Sequence, residues 1–119
     1  MGKAILLAED DRSISEVMQI ILEDEGYSVT HARNKIEITN ALKKMLPDLI
    51  FLDIRLGGED GEQIASELRT GTETSSIPLL ILSAESKTEN IAARVGADGY
   101  LLKPFDMDEL IAITRRYLH

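Results

Sequence analysis

The sequence predicts an α/β fold: a five-stranded parallel sheet, doubly wound, with helices on both faces. Three observations carry that reading. Four short runs (AILLA, DLIFLD, PLLILS and GYLLK) are continuously apolar instead of alternating, the pattern of strands covered on both sides. Between them lie stretches whose apolar residues recur with helical spacing. The two patterns alternate along the 119 residues, the order that a parallel sheet with right-handed crossovers requires.

Taken in order, Ala4 to Ala8 is the first strand and ends abruptly in Glu9, Asp10 and Asp11. Ile14, Val17, Met18, Ile21 and Leu22 follow the i, i+3, i+4, i+7, i+8 spacing of one helix face, with Gly26 placed to stop it. Tyr27 to Ala32 is a more polar run that suits an edge strand. Ile38, Leu42, Met45 and Leu46 give a second helical stripe, ended by Pro47. The strand DLIFLD comes next and ends in Asp53. Ile64, Ala65 and Leu68 form a third stripe, closed by the polar loop TGTETSS. The strand PLLILS ends at Ser83. Ile91, Ala92 and Val95 give a short fourth helix before Gly96. The strand GYLLK ends at Lys103, and Leu110, Ile111, Thr114, Tyr117 and Leu118 complete a fifth helix with Asp106 as its N-cap. The methionines Met18, Met45 and Met107 are expected in core or edge packing.

A chain of this length forms one domain, expected over 1–119, and buries enough surface to fold without disulfides. There is no cysteine, which removes thiol catalysis and zinc–thiolate sites. No run approaches the ~20 apolar residues of a membrane span, and Ala4 to Ala8 is too short for a signal-peptide core. A cytoplasmic location is the expectation. Net charge is −8, from 21 acids against 13 bases, which argues against nucleic-acid binding by this segment because phosphate contacts need a basic surface.

In a parallel sheet the C-terminal ends of all strands share one edge. Glu9, Asp10, Asp53, Ser83 and Lys103 are thereby gathered into one patch, at the edge where open α/β sheets bind ligands. Carboxylates crowded at one point invite a hard divalent cation, and magnesium suits such a set best. A lysine and a hydroxyl beside them make a clamp for phosphoryl oxygens, and one carboxylate is able to act as nucleophile. The chain has no Gly-rich loop of the Walker type, which argues against a bound nucleotide.

The segments EDD, DLIFLDIRLGGEDG, LLILSA and GADGYLLKPF, in this order and spacing, resemble the receiver domain of two-component response regulators over essentially the whole chain. The resemblance implies a flavodoxin-like sheet with strand order 2-1-3-4-5. It implies that Asp53 is the phosphoacceptor, and that Mg2+ is held by Glu9, Asp10, Asp53 and the backbone carbonyl of Arg55. Ser83 and Lys103 would engage the phosphoryl oxygens, Pro104 would stand after a cis peptide bond, and Ser83 and Tyr100 would form the switch. The implied phosphodonor is a sensor histidine kinase or a histidine phosphotransfer protein, or a small acyl phosphate. A downstream effector, not identified by the sequence, would read the face made by the fourth helix, fifth strand and fifth helix.

Arg55 and Glu85 flank the site at positions that in this family tune phosphoryl lifetime, and their opposite charges suggest a pair across the entrance. Asp11 is the acid least tied to the cluster and is expected to cap the first helix. His31 and His119 have no motif neighbours and read as plain surface residues. Two alternatives stay open. An aspartyl-nucleophile, Mg-dependent phosphatase of the haloacid-dehalogenase type would carry a second Asp where Arg55 stands. A receiver fold without phosphorylation would serve only as an interaction module. The chain is expected to be either a complete single-domain regulator or the receiver part of a longer protein.

Overall fold

A computed structural model describes residues 2–118, so the reading of His119 lies outside the described residues. The sheet strands are β1 (Ala4–Ala8), β2 (Ser28–Ala32), β3 (Leu49–Asp53), β4 (Leu79–Ser83) and β5 (Gly99–Leu102). The helices are α1 (Arg12–Asp24), α2 (Lys35–Lys44), α3 (Gly61–Thr70), α4 (Thr88–Val95) and α5 (Met107–Tyr117). All neighbouring sheet strands are parallel, in the order β2-β1-β3-β4-β5. The expected fold class and strand order are both found. Among the described residues no helix is long and apolar enough to cross a membrane.

Successive strand residues point to opposite faces, and the continuous apolar runs therefore feed two cores. Ile5, Leu7, Leu49, Phe51, Leu80 and Leu82 face Met18 and Leu22 of α1 and Leu110 of α5. Leu6, Ala8, Ile50, Leu52, Leu79 and Ile81 face Ile38 of α2, Ile64 and Leu68 of α3, and Ile91 and Val95 of α4. Each fully buried side chain of this size stabilises the fold by about 1.5–3 kcal/mol. Every residue of β3 and β4 is buried, so the sheet centre is a fixed platform for whatever its rim carries.

Helix ends obey the sequence where a capping residue exists. Asp11 accepts from the Ile14 amide. Asp106 caps α5 in a full capping box with Glu109. Three expectations about helix faces fail. The buried residues of α1 are Ser15, Met18 and Leu22, while Val17 is exposed. A small Ser15, bonded through its hydroxyl to the Arg12 carbonyl, lets the buried stripe turn away from Val17. Helix α2 ends at Lys44, and Met45 and Leu46 lie beyond it, both exposed. Pro47 excludes helical backbone just before itself, and the chain is already extended at Met45 (φ −163). Met107 opens α5 on its solvent side and is also exposed, so of these three methionines only Met18 packs in the core.

One element escaped the sequence reading. After Asp53 the chain makes a small antiparallel hairpin, Arg55–Leu56 against Glu59–Asp60. Its turn residues, Gly57 and Gly58, both have positive φ, as two-residue hairpin turns of the I′ type demand.

Candidate functional site

The C-terminal rim of the sheet assembles the site. Glu9 and Asp10 come directly after β1, Asp53 ends β3 beside it, Ser83 ends β4, and Lys103 stands just past β5. Parallel register sets the heights: Asp53 lies opposite Leu82 and Ser83 opposite Leu102. The Lys103 amide extends the ladder by donating to the Ser83 carbonyl at 2.8 Å. From there the lysine side chain reaches back across the rim.

Lys103 Nζ lies 2.8 Å from Asp53 Oδ2 and 3.0 Å from each carboxylate oxygen of Glu9. Asp53 is buried, and its Oδ1 accepts from the Arg55 amide at 3.0 Å. Glu9 has no exposed surface, whereas Asp10 is exposed. Burial and the neighbouring Asp53 carboxylate push the Glu9 carboxyl up to about 8, with Lys103 opposing. For Asp53 burial also favours the neutral form, but hydrogen bonds from Glu9, Lys103 and the Arg55 amide outweigh it and hold the carboxyl below its ordinary value. Lys103 loses hydration, yet its bonds to Asp53 and Glu9 hold its ammonium above the usual range. One ammonium thus faces two carboxylates.

Oxygen atoms of Glu9, Asp10 and Asp53 all lie within 4.8 Å of one another. Three hard carboxylates drawn from two adjacent strand ends fit a divalent cation that takes oxygen ligands. The cluster is able to hold a metal ion, and its composition matches Mg2+ or Mn2+ better than a softer metal.

A family model described as the response regulator receiver domain matches residues 5–115. The chain belongs to that family. The receiver is 36% identical to the phosphate regulon transcriptional regulatory protein PhoB of Pseudomonas aeruginosa, over 99% of this chain and 52% of that protein. It is 32% identical to the DNA-binding response regulator MtrA of Mycobacterium tuberculosis, over 99% of this chain and 51% of the relative. The chain therefore spans about half the length of the curated relatives it matches. Among solved structures, chemotaxis response regulator CheY4 of Vibrio cholerae superposes with a TM-score of 0.91 at 27% identity, over 99% of this chain and all (100%) of that one. The receiver domain of NtrX from Brucella abortus gives 0.87 at 31% identity, over 96% and 97% of the two chains. These matches place the chain with signalling receivers.

The other expected positions of this receiver lie around the same rim. Ser83 is buried, and its Oγ accepts from the Glu85 amide at 3.0 Å. Tyr100 lies on β5, half-buried against the α2–α3–α4 core. The Lys103–Pro104 peptide is cis. Arg55 and Glu85 form the expected pair, Nη2 to Oε1 at 3.4 Å, on the solvent side of the site. His31 differs from its plain reading: its Nε2 stands 2.6 Å from the backbone carbonyl of Glu9. No short-range pattern announces that contact, since it depends on β1 and β2 pairing in one register.

Proposed function

We propose that this receiver accepts a phosphoryl group on the Asp53 carboxylate and uses it as a reversible switch. The observation that carries the reading is the position of Asp53: a buried carboxylate held ionised, bonded to Lys103, within reach of two further acids. An ionised oxygen at a strand end, facing the open rim, is a nucleophile for phosphorus. In the transfer an Asp53 oxygen–phosphorus bond forms while the donor's bond to phosphorus breaks. The leaving group is the imidazole of a phosphohistidine, on a sensor kinase or phosphotransfer protein, or the carboxylate of a small acyl phosphate.

Glu9, Asp10, Asp53 and the Arg55 carbonyl are the groups that would hold Mg2+, which when bound supplies charge neutralisation at the phosphoryl oxygens. Lys103 brings a point charge to the same oxygens. Ser83 already accepts one hydrogen bond, which leaves its own proton to donate toward the new group. Hydrolysis of the acyl phosphate by water returns the domain to rest, and the Arg55–Glu85 pair stands at the approach.

The new group adds about −1.5 to −2 charge beside Ser83, on the strand that carries Ile81 opposite Tyr100. Ser83 and Tyr100 form the route by which that charge favours a second packing of the face built by α4, β5 and α5, where an effector docks. Only differential affinity for that second packing moves the population. With a net charge of −8 this segment reads as a signal receiver and not as the part that contacts nucleic acid.

Intact-mass measurement after treatment with acetyl phosphate and Mg2+ tests the reading. The wild type gains one phosphoryl group and Asp53→Asn gains none while keeping its circular dichroism spectrum. A phosphoryl group persisting in the folded variant overturns the assignment.

A further inference from the structure

We propose that His31 is a positioning residue for the acid cluster, donating from Nε2 to the Glu9 carbonyl and thereby fixing where the Asp10 carboxylate stands. The inference rests on reading Glu9, Asp10 and Asp53 as cation ligands.

The backbone explains why a side chain is needed there. The β1–β2 ladder runs one rung past the strands, with the Glu9 amide donating to the Ala32 carbonyl at 3.1 Å. The next rung would bring an amide from β2 to the Glu9 carbonyl. But β2 ends at Ala32, and Asn34 has already turned away to cap α2. The half-buried His31 side chain fills that place at 2.6 Å. A carbonyl only accepts, so Nε2 carries the hydrogen.

The bond bears directly on Asp10. The Glu9–Asp10 peptide is planar, and holding its carbonyl oxygen sets the direction in which Asp10 leaves. The next residue, Asp11, is fixed in turn as the N-cap of α1, 3.1 Å from the Ile14 amide. Asp10 is the single residue between these two anchors. Its own carboxylate is exposed, so the backbone on either side must place it. On the opposite side Glu9 is gripped by Lys103. The acid pair is thus held from both edges of the sheet, by β2 through His31 and by the end of β5 through Lys103.

Calorimetric titration of Mg2+ into the 119-residue chain tests the proposal. Outer groups that orient metal ligands typically cost 10–100-fold in affinity when removed, so His31→Leu is expected to weaken Mg2+ binding by about tenfold or more. His31→Gln carries an N–H at the reach of Nε2 and is expected to stay within ~3-fold of wild type. His31→Asn places its donor too close to the backbone and is expected to fall with Leu. A residue that merely supports the strand would lower the melting temperature in chelator for all three variants and leave the rank order of Mg2+ affinity flat. Nitrogen-15 imidazole spectra of the metal-free protein supply a second reading, the Nε2–H tautomer being expected. Wild-type affinity in His31→Leu, equal loss in His31→Gln, or an Nδ1–H tautomer overturns the proposal. Should His31→Leu fail to fold, the Gln and Asn variants decide. A wild type that binds no Mg2+ removes the underlying cation reading as well, whereas binding with a silent His31 removes this inference alone.

Discussion

Glu9 is enclosed by protein while two charged neighbours, Asp53 and Lys103, pull its proton in opposite directions. Its folded pKa stands at about 8 against an ordinary 4.5. Between those values the native state keeps a proton that the unfolded chain has lost, so stability from this group is full below 4.5 and is lost as pH rises through 8. Asp53 is shifted the other way and acts only below its ordinary 3.8, and Lys103 acts only above 10.5. Urea unfolding in chelator is therefore expected to show stability declining from pH 5 toward pH 8, by no more than about 1.4 kcal/mol per unit. Glu9→Gln, which keeps the shape without the titration, is expected to flatten that slope. A slope unchanged in Glu9→Gln would assign it to another group. The Arg55–Glu85 pair lies outside, with side-chain exposures of 79% and 40%, and contributes little to stability. Under the proposed function its effect is expected on the phosphoryl lifetime. Single Arg55→Ala and Glu85→Ala changes and the double change form a cycle on dephosphorylation rate, with an expected coupling of about two- to fivefold. Strictly additive rates would reject the pairing.

At the level of elements, the hairpin after Asp53 ties the loop at the end of β3 to its neighbours. Glu59 on its return strand accepts from the Lys35 amide at 2.8 Å, which ties the hairpin to the start of α2. At its far end Gly61 opens α3 with its amide on the Ile54 carbonyl. A Cβ there would lie 2.3 Å from that carbonyl oxygen, which is backbone and has no rotamer to yield. Gly61→Ala is expected to destabilise by about 2 kcal/mol or more, measured by urea unfolding. Asp106→Ala, which removes half of a capping box on α5, is expected to cost about 1 kcal/mol. Equal losses in the two variants would contradict the close approach at Gly61. Elements of this kind mark the limit of what the sequence shows. Continuous apolar runs identified four of the sheet strands and a mixed, more polar run the edge strand β2, while Asp11 and Asp106 identified two caps, because each signal is local. Val17 and Met45 were misplaced because the exposed or buried side of a helix is chosen by what it packs on. The Gly57–Gly58 turn was legible as a hairpin signal but is shorter than any strand pattern. His31 was not legible, since its partner lies 22 residues away.

Across the whole molecule, the site joins two cores that the sheet keeps separate. Helices α1 and α5 cover one face, α2, α3 and α4 the other. The same geometry concentrates acids of an already acidic chain, net −8, at a point where folding alone brings them together. In the unfolded chain Glu9 and Asp53 are far apart in sequence and no cation is held between them. A divalent cation held by the cluster would therefore favour the native state, and mass action would raise stability by about 2.7 kcal/mol at a concentration one hundred times its dissociation constant. For a domain of this size that corresponds to a rise of roughly 5–15 °C in melting temperature. Differential scanning calorimetry with Mg2+ against chelator is expected to show such a rise in the wild type and a much smaller one in Asp10→Asn. Asp10 is the informative position because it is exposed and its substitution leaves both cores untouched. A rise equal in the two proteins would mean that the cation stabilises the chain elsewhere, by screening its net charge, and the rim cluster would lose its claim to be the binding site.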